Sequence, residues 1–295
     1  MVIFKPKTFG FVIKHSVPKA TKLAFDVADW LEKRKCKVVV ADESKGFLAK
    51  RPKAKTVPKE QLPTACDMVI VFGGDGTFLS IARQMIWKSV PILGVNLGRL
   101  GFLTEVKVEE VFETLETVLK GKFSVQERSM LEACVKRGGR DLFCLPVLND
   151  VVITKSAIAR VIDFQLKLNG VLVATLKADG LIASTPTGST AYSLAAGGPI
   201  VHPKVGATVI TAICPHSLNV RPLVIPEEAL VEVELMEKDG DIMLTLDGQF
   251  GYALEKGDKV SITKYKRHSV QVVQSPNRDY FELLRTKLYL GARGE

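Results

Sequence analysis

A single carboxylate stands among three glycines at residues 73–77, where the sequence reads Gly-Gly-Asp-Gly-Thr. Five apolar residues, Met68–Phe72, lead into this pentapeptide, and an amphipathic segment follows it. Glycines let a phosphate approach backbone N–H groups, and the start of a helix favours an anion. Because Asp75 would repel that anion, its presence needs a reason. It could accept a hydroxyl proton, hold a divalent cation or simply cap the helix.

A second group of polar side chains lies at residues 178–203, which read ADGLIASTPTGSTAYSLAAGGPIVHP. A strand is predicted to end near Ala183, and an Ala-rich helix is predicted to begin at Ala191. Between them stand the hydroxyl residues Ser184, Thr185, Thr187, Ser189 and Thr190. Hydroxyl groups before a helix start offer hydrogen-bond donors and caps. A well-capped loop explains any fragment of this segment but not the whole of it.

The elements that must position these groups alternate between strand and helix over residues 8–123. Short apolar runs predict strands at 11–13, 38–40, 68–72 and 91–95, and helical spacing is clearest at 108–119. Such alternation predicts a Rossmann-like, mostly parallel sheet with helices on both faces. The glycines Gly98 and Gly101 follow a predicted strand and are either a second wall of the site or a plain turn.

The pattern changes after about residue 125. Apolar and polar residues alternate strictly over Ile162–Leu168, and Asn169-Gly170 followed by another apolar run predicts a hairpin. The same alternation recurs at residues 231–235 and 242–246. These features predict an antiparallel, β-rich region, whereas helical spacing resumes at the end of the chain.

With 295 residues, the chain exceeds the usual size of one domain. We predict an α/β domain at residues 1–125 and a β-rich antiparallel domain at 126–276. A C-terminal helix within residues 277–295 is predicted to return to the first domain.

Charge and cysteine content limit the classes of function. A formal charge of +9 suits anionic small molecules or nucleic acid, but the basic run at residues 50–59 lacks interleaved aromatic residues. We therefore predict a solvated loop there and no nucleic-acid partner. The sequence has no run of about 18 apolar residues, so we expect no membrane span. Lys5 and Lys7 argue against a secretory signal, and five scattered cysteines predict neither a disulfide framework nor a zinc site, so we expect a cytoplasmic protein.

Several motifs follow one another in a fixed order along the chain. They are GGDGT at 73–77, Asn149-Asp150 within LPVLNDVVI, DGLIASTPTGSTAYSLAAGGPIVHP from Asp179, ICPHSL at 213–218 and Asp247-Gly248-Gln249. Because these motifs occur together and in this order, the sequence closely resembles the NAD kinase family over nearly the whole chain. GGDG followed by Thr or Ser also occurs in phosphofructokinases and lipid kinases of the diacylglycerol type. The long second segment is what distinguishes the NAD kinases.

The resemblance implies transfer of a phosphoryl group from ATP, or a related donor such as polyphosphate, to the adenosine ribose 2′-hydroxyl of NAD, giving NADP. It implies a divalent cofactor, Mg²⁺, and by matching position it makes Asp75 the general base. The substrate-binding residues that it implies are Gly74, Gly76, Thr77, Asn149, Asp150, Arg160, Lys177, Asp179, Thr187, Thr190, Ala191, Tyr192, Ser193, Leu194, Ala195 and Gln249. Many bacterial members have Arg where Lys177 stands, at a position associated with choosing NAD over NADH.

The resemblance also implies a homodimer or homotetramer that associates through the β-rich, dinucleotide-binding domain. Two alternatives are a module that senses NAD(P) without chemistry and a lipid kinase. A pure sensor gains little from a carboxylate beside phosphates, and a lipid kinase should show a membrane-binding stretch, which the sequence lacks.

Overall fold

The structure is a computed structural model that describes residues 4–85, 88–98, 100–155, 161–236 and 242–288. The chain divides into two compact units. Met1–Glu127 and Val270–Glu295 form the first unit, and Arg128–Ser269 form the second. Among the described residues, no helix combines the length and the apolar character needed to cross a bilayer.

The elements of the first unit come from both ends of the chain. It begins with β1 (Thr8–Ile13), α1 (Pro18–Lys33), β2 (Lys37–Ala41), α2 (Lys45–Leu48), β3 (Lys55–Val57), α3 (Leu62–Ala65), β4 (Met68–Phe72), α4 (Asp75–Ala82), β5 (Ile92–Asn96), β6 (Val106–Lys107), α5 (Val111–Leu119) and, at its boundary, β7 (Val125–Arg128).

The second unit then contains β8 (Leu131–Arg137), β9 (Arg140–Val147), β10 (Asp150–Lys155), β11 (Ile162–Leu168), β12 (Val171–Ala178), β13 (Gly180–Ser184), α6 (Tyr192–Ala195), β14 (Ala207–Ile213), β15 (Leu223–Pro226), β16 (Val231–Leu235), β17 (Ile242–Leu246), β18 (Phe250–Leu254) and β19 (Lys259–Lys264). The chain returns to the first unit with β20 (Val270–Val273) and α7 (Tyr280–Leu288).

The first unit has the predicted α/β fold. Its sheet runs in the order β3-β2-β1-β4-β5-β20-β7, with β6 beside β5, and β1 and β4 pair in parallel with their neighbours. All five residues of β4 are buried, as expected for a strand covered on both faces. Helix α1 buries the stripe formed by Leu23, Val27 and Leu31 against this sheet.

The predicted return of the C-terminal helix is confirmed. Just before α7, the Arg278 guanidinium donates to the Glu110 carboxylate at 2.7 Å, and the Ser275 amide donates to Glu105 at 3.3 Å. Within α7, the Tyr280 ring lies 6.4 Å from that of Phe102. These contacts tie the end of the chain to the segment that follows β5.

The second unit consists of two antiparallel six-stranded sheets, in the orders β15-β14-β13-β10-β17-β18 and β12-β11-β16-β19-β8-β9. Alternate residues of both sheets enter one core, among them Val135 of β8 and Ile153 of β10. Asn169 and Gly170 have φ angles of 50° and 79° and form the predicted hairpin between β11 and β12. The apolar residues of the alternating segments therefore form the face of each strand that packs on the core.

Two sequence predictions are wrong. The basic run at residues 50–59 is not only a solvated loop, because β3 lies within it and Arg51 donates to Glu32 at 3.0 Å. The structure also has a disulfide between Cys134 and Cys144, which stand directly opposite each other on β8 and β9. Spacing along the chain did not reveal this pair, since only the register of the hairpin brings the two residues together.

Candidate functional site

The strand order of the first unit creates a crevice at one edge of its sheet. The chain passes from β1 outward to β2 and β3 and then returns to β4 on the other side of β1. Ligands of open α/β sheets bind at such a reversal, outside the carboxyl ends of the strands. A cavity of about 370 Å³ lies there, lined by Ile13, Lys14, His15, Ser16, Glu43, Lys59, Gly74, Gly76, Thr77 and Ser80.

The glycines of the GGDGT motif have different roles. A Cβ on Gly73 would lie 2.5 Å from the Thr77 hydroxyl oxygen, so this glycine is needed for packing. A Cβ on Gly74 or Gly76 would meet nothing within 4 Å. Gly74 and Gly76 therefore present bare backbone to open space at the start of α4, where a phosphate is favoured.

Asp75 is held by the loop that follows β5. Its Oδ1 accepts hydrogen bonds from the Leu103 amide at 3.1 Å, the Thr104 amide at 3.0 Å and the Thr104 hydroxyl at 3.0 Å. Its Oδ2 accepts one bond, from the Phe102 amide at 2.8 Å. The carboxylate makes no cap to α4, which has Gly74 at its N-cap position. The helix-capping interpretation is therefore wrong, and Oδ2 retains a lone pair that a hydroxyl group could use.

Gly101 makes this arrangement possible. A Cβ at residue 101 would lie 2.0 Å from the Asp75 Oδ1 and 2.4 Å from the Thr104 hydroxyl oxygen. Asn96, at the end of β5, donates to the same hydroxyl at 2.9 Å. Gly101, for which a wall of the site and a plain turn were the two alternatives, thus leaves the space that the Asp75 carboxylate occupies.

Sequence reasoning missed several residues of this cavity. Lys14, His15 and Ser16 directly follow β1, and Lys59 forms an ion pair with Glu43 at 2.9 Å. Lys14 supplies positive charge for an anionic ligand, and Lys59 adds an ammonium group whose charge is offset by Glu43. Lys14, His15 and Ser16 could have been found from their position after β1, the strand beside β4, but this requires the strand order. Lys59 follows β3, at the outer end of the sheet, and no local signal points to it.

The second unit has its own cavity of about 380 Å³, near the start of β10. It is lined by Asn149, Asp150, Val152, Thr154, Ala191, Tyr192, Thr245, Asp247 and Gly248. Four of the predicted substrate-binding residues, Asn149, Asp150, Ala191 and Tyr192, therefore come together here. The 40 residues between Asp150 and Ala191 are bridged because β10 pairs with β13, the strand that leads into the hydroxyl-rich segment.

A pair of buried acids stands at this cavity. Asp150 and Asp247 are only 5% and 6% exposed. Burial, followed by the charge of Asp247, raises the pKa of Asp150 from 3.8 to about 7. Near neutral pH, Asp150 therefore exists in part as a carboxylic acid, which can donate a hydrogen bond as well as accept one.

Asn149 supplies an acceptor to the same place. Its side-chain oxygen is buried and has no hydrogen-bond partner among the described residues. A buried amide oxygen without a donor is costly, and a bound ligand is one way to satisfy it. The Asn149 side chain is thus well suited to contact a ligand that carries hydroxyl or amide N–H groups.

Most hydroxyls of the predicted ligand segment hold the loop itself. Thr185 donates to the Leu148 carbonyl at 2.6 Å, and Ser189 donates to the Pro186 carbonyl at 2.7 Å. Ser193 shares a 3.0 Å hydrogen bond with Thr211. The segment is therefore rigid, and the contacts that it offers to a ligand come mainly from Ala191 and Tyr192.

The remaining predicted site residues lie elsewhere around the unit. Thr187 is buried, Thr190 and Leu194 are half-buried, and Ala195, Asp179 and Gln249 are exposed. Lys177 is an exposed residue of β12 that pairs with Asp163 at 3.4 Å and lines a different cavity, of about 540 Å³. Arg160 lies outside the described residues.

Comparisons with known proteins agree for both units. The sequence profile of the ATP-NAD kinase N-terminal domain matches residues 9–123, and that of the ATP-NAD kinase C-terminal domain matches residues 148–275. The NAD kinase of Syntrophotalea carbinolica is 47% identical over 293 residues, which cover 97% of this chain and all of that protein. The NAD kinase of Geobacter sulfurreducens is 47% identical over 287 residues, again covering 97% of this chain and all of the relative.

Two solved structures share the fold. A yeast NADH kinase complexed with NADH has a TM-score of 0.91 and 24% identity, covering 99% of this chain and 90% of that one. An NAD kinase from Archaeoglobus fulgidus in complex with ATP has a TM-score of 0.68 and 26% identity, covering 84% of this chain and 98% of that one. Since both domain profiles and near-full-length relatives match, the chain belongs to the ATP-NAD kinase family.

Proposed function

We propose that this chain is an NAD kinase that transfers the γ-phosphoryl group of ATP, or of a related donor such as polyphosphate, to the adenosine ribose 2′-hydroxyl of NAD. The product is NADP. Relatives that match over their whole length carry the name NAD kinase, and one similar structure is a complex with ATP. The observation that carries the proposal is the cavity at the ends of β1 and β4, whose wall includes the two glycines on either side of Asp75.

The donor phosphates are proposed to bind in this cavity. Gly74 and Gly76 leave room for phosphate oxygens against backbone N–H groups, because nothing lies where their side chains would be. Lys14 and Lys59 place ammonium groups at the same wall, where Lys59 is paired with Glu43. Such groups position the phosphates and neutralise their charge, and these two effects account for most of the catalysis of phosphoryl transfer by proteins.

Asp75 is proposed to accept the proton of the 2′-hydroxyl as the phosphoryl group is transferred. Oδ1 already accepts three hydrogen bonds, so Oδ2, with one, is the oxygen available to the hydroxyl. The four bonds fix the carboxylate in one orientation before the acceptor arrives. A fixed base avoids the reorganisation that would otherwise add to the barrier.

Mg²⁺ is the proposed cofactor. Among the described residues, no group of three or more His, Cys, Asp or Glu side chains is arranged to hold a metal ion. Mg²⁺ commonly binds through one or two carboxylates, substrate phosphates and water, and Asp75 is the carboxylate that the motif offers. When bound, the ion would offset the repulsion between Asp75 and the phosphates.

The dinucleotide is proposed to contact the cavity of the second unit. Asn149 offers an unsatisfied amide oxygen, Asp150 can donate a hydrogen bond, and the Tyr192 ring gives an aromatic wall. These are the polar and aromatic groups that a nucleoside with hydroxyl and amide substituents requires.

A homodimer or homotetramer, formed through the second unit, is also part of the proposal. Val171 and Leu172, on the edge strand β12, are 68% and 52% exposed, and exposed apolar edge strands favour association. Sedimentation at micromolar concentration should show a dimer or a tetramer. A fully active monomer would contradict this part.

One assay tests the reaction. The protein is incubated with ATP, Mg²⁺ and NAD, and an NADP-specific dehydrogenase reports the product. Formation of NADP supports the proposal. A protein that binds NAD without forming NADP would be a sensor, and transfer to a diacylglycerol but not to NAD would indicate a lipid kinase.

A further inference from the structure

The turn between β17 and β18 carries an acid where the backbone does not require one. Asp247 has a φ of 53° and Gly248 a φ of 63°, in the left-handed region. Asn and Gly adopt this conformation at least as readily as Asp does. The turn alone therefore does not explain a carboxylate that is buried to 6% exposure.

Three consecutive amides explain the carboxylate. The Leu148 amide donates to Asp247 Oδ2 at 3.0 Å, while the amides of Asn149 and Asp150 donate to Oδ1 at 2.6 and 3.2 Å. In return, the Asp247 amide donates to the Asp150 carbonyl at 3.0 Å. Because both carboxylate oxygens accept backbone donors, an Asn side chain would turn its NH₂ group towards one of them.

Residues 148–150, which Asp247 binds, are also held from their other side. The Thr185 amide donates to the Asn149 carbonyl at 2.9 Å, and the Thr185 hydroxyl donates to the Leu148 carbonyl at 2.6 Å. A Cβ on Gly188 would lie 2.1 Å from the Asn149 carbonyl oxygen. The backbone of residues 148–150 is therefore bound on both sides, and this fixes where the Asn149 and Asp150 side chains begin.

We propose that Asp247 is a positioning residue, which acts through three backbone amides to fix Asn149 and Asp150 at the dinucleotide cavity. The inference rests on the proposed function, since it takes the dinucleotide to be the occupant of that cavity. Asp247 is assigned to positioning because it is only 6% exposed and each of its oxygens accepts an amide of residues 148–150.

The charge of Asp247 has a second effect, on Asp150. Among the described residues, those lining the cavity include no Lys, Arg or His, and the titratable groups that face Asp150 there are Asp247 and Tyr192. Burial and the Asp247 charge together raise the pKa of Asp150 to about 7. Asp150 can thus donate a hydrogen bond to an oxygen of the dinucleotide at neutral pH, and it loses this ability once it ionises.

The test compares two site variants and a control. Asp247→Asn keeps the left-handed turn but removes the charge and one acceptor. Thr185→Val removes the bond to the Leu148 carbonyl and the one accepted from the Gly188 amide, and it leaves the two acids unchanged. Asp258→Asn is the control, because Asp258 is a fully buried carboxylate in another turn of the unit, bonded to Arg137 at 2.8 Å and to the Glu255 amide at 2.9 Å.

We expect Asp247→Asn to raise the KM for NAD about tenfold, the effect of losing a charge-assisted hydrogen bond, with the KM for ATP unchanged. The pH above which NAD binding weakens should also move down, because Asp150 loses the neighbouring charge. Thr185→Val should raise the KM for NAD without moving the pH profile. Asp258→Asn should lower the melting temperature and leave both KM values and the profile unchanged.

The outcomes separate the inference from the proposed function. If the wild-type protein forms no NADP, the proposed function fails. If it forms NADP but Asp247→Asn retains the wild-type KM for NAD and the wild-type pH profile, the positioning role of Asp247 is overturned. If Asp247→Asn does not fold, Thr185→Val provides the test. An unchanged KM for NAD in that variant would show that the bonds to residues 148–150 do not position the binding groups, and it would overturn the inference.

Discussion

Asp75 in the first unit and Asp247 in the second bind the backbone in the same way. Asp75 accepts the amides of residues 102–104, and Asp247 accepts those of 148–150. The surroundings differ, however. Asp75 is half-buried between two glycines that face open space, whereas Asp247 is buried beside a second acid.

The comparison shows that a shared hydrogen-bond pattern does not imply a shared role. A half-buried carboxylate between glycines that face open space can act on a ligand. A carboxylate that is almost fully buried acts mainly on the protein around it. Exposure and neighbouring groups therefore separate a candidate base from a positioning residue.

The strongest test of this distinction is Asp75→Asn. Loss of a general base typically costs about 10²–10⁴-fold, so we expect kcat to fall by that order, with a much smaller change in NAD affinity. Steady-state kinetics and NAD titration measure the two effects. Asp67→Asn is the matched control, because Asp67 accepts the Lys7 and Thr8 amides at 2.9 Å at the other end of β4.

Two outcomes would change the assignment of Asp75. Partial rescue of Asp75→Asn by raised Mg²⁺ or Mn²⁺ would indicate a metal ligand in place of a base. Activity near that of the wild-type protein would make Asp75 a second purely structural carboxylate and remove the contrast with Asp247.

Gly101→Ala should give the next largest effect. A Cβ at this position would lie 2.0 Å from Asp75 Oδ1, so the carboxylate must move. Displacement of a catalytic group by about 1 Å can cost about 10²-fold, and we expect kcat to fall by that factor. Gly46→Ala is the control, since a Cβ there stays 3.4 Å from its nearest neighbour. Equal kcat values for the two variants would show that the position of Asp75 is not critical.

Lys59→Met tests the assignment of the donor to the first unit. Removing one charged contact to phosphate should raise the KM for ATP about tenfold, while the KM for NAD stays unchanged. Lys55→Met, on the exposed part of β3, is the control. An increase in the KM for NAD alone would place the dinucleotide at this cavity and contradict the division between the two units.

Lys177→Arg should have the smallest effect. Nicotinamide is positively charged in NAD and neutral in NADH, and a guanidinium spreads its charge more than an ammonium does. We expect the ratio of kcat/KM for NAD over NADH to shift towards NAD by less than about fivefold, as for an exposed ion pair. Lys167→Arg, which faces Glu234 at 3.5 Å, is the control. If Lys177→Arg leaves the ratio at the wild-type value, this residue lies outside the site.

Much of the fold could be predicted because its signals are local. Apolar runs identified the buried strand Met68–Phe72, and Asn169-Gly170 identified the hairpin. The long-range contacts could not be predicted in this way. Asp75 reaches its amides across 27 to 29 residues, and Asp247 reaches its own across 97 to 99.

The candidate site shows the same limit. GGDGT predicted a ligand site from the glycines and the carboxylate, and the structure adds which glycines face open space. Lys14 and Lys59 were missed because their charge becomes informative only when the strand order places them beside Gly74. Asp247 was noticed as part of a motif, but no local pattern reveals that it binds three distant amides.

The burial of Asp150 also has a cost in thermal stability. The folded chain keeps its proton up to a pH of about 7, whereas the unfolded chain releases it near pH 4. The contribution of Asp150 to the free energy of unfolding therefore falls as the pH rises through this window. The melting temperature of the wild-type protein should decline more between pH 5 and about pH 8 than that of Asp150→Asn, which has no proton to lose. Parallel melting curves for the two proteins across that range would show that Asp150 does not titrate on unfolding.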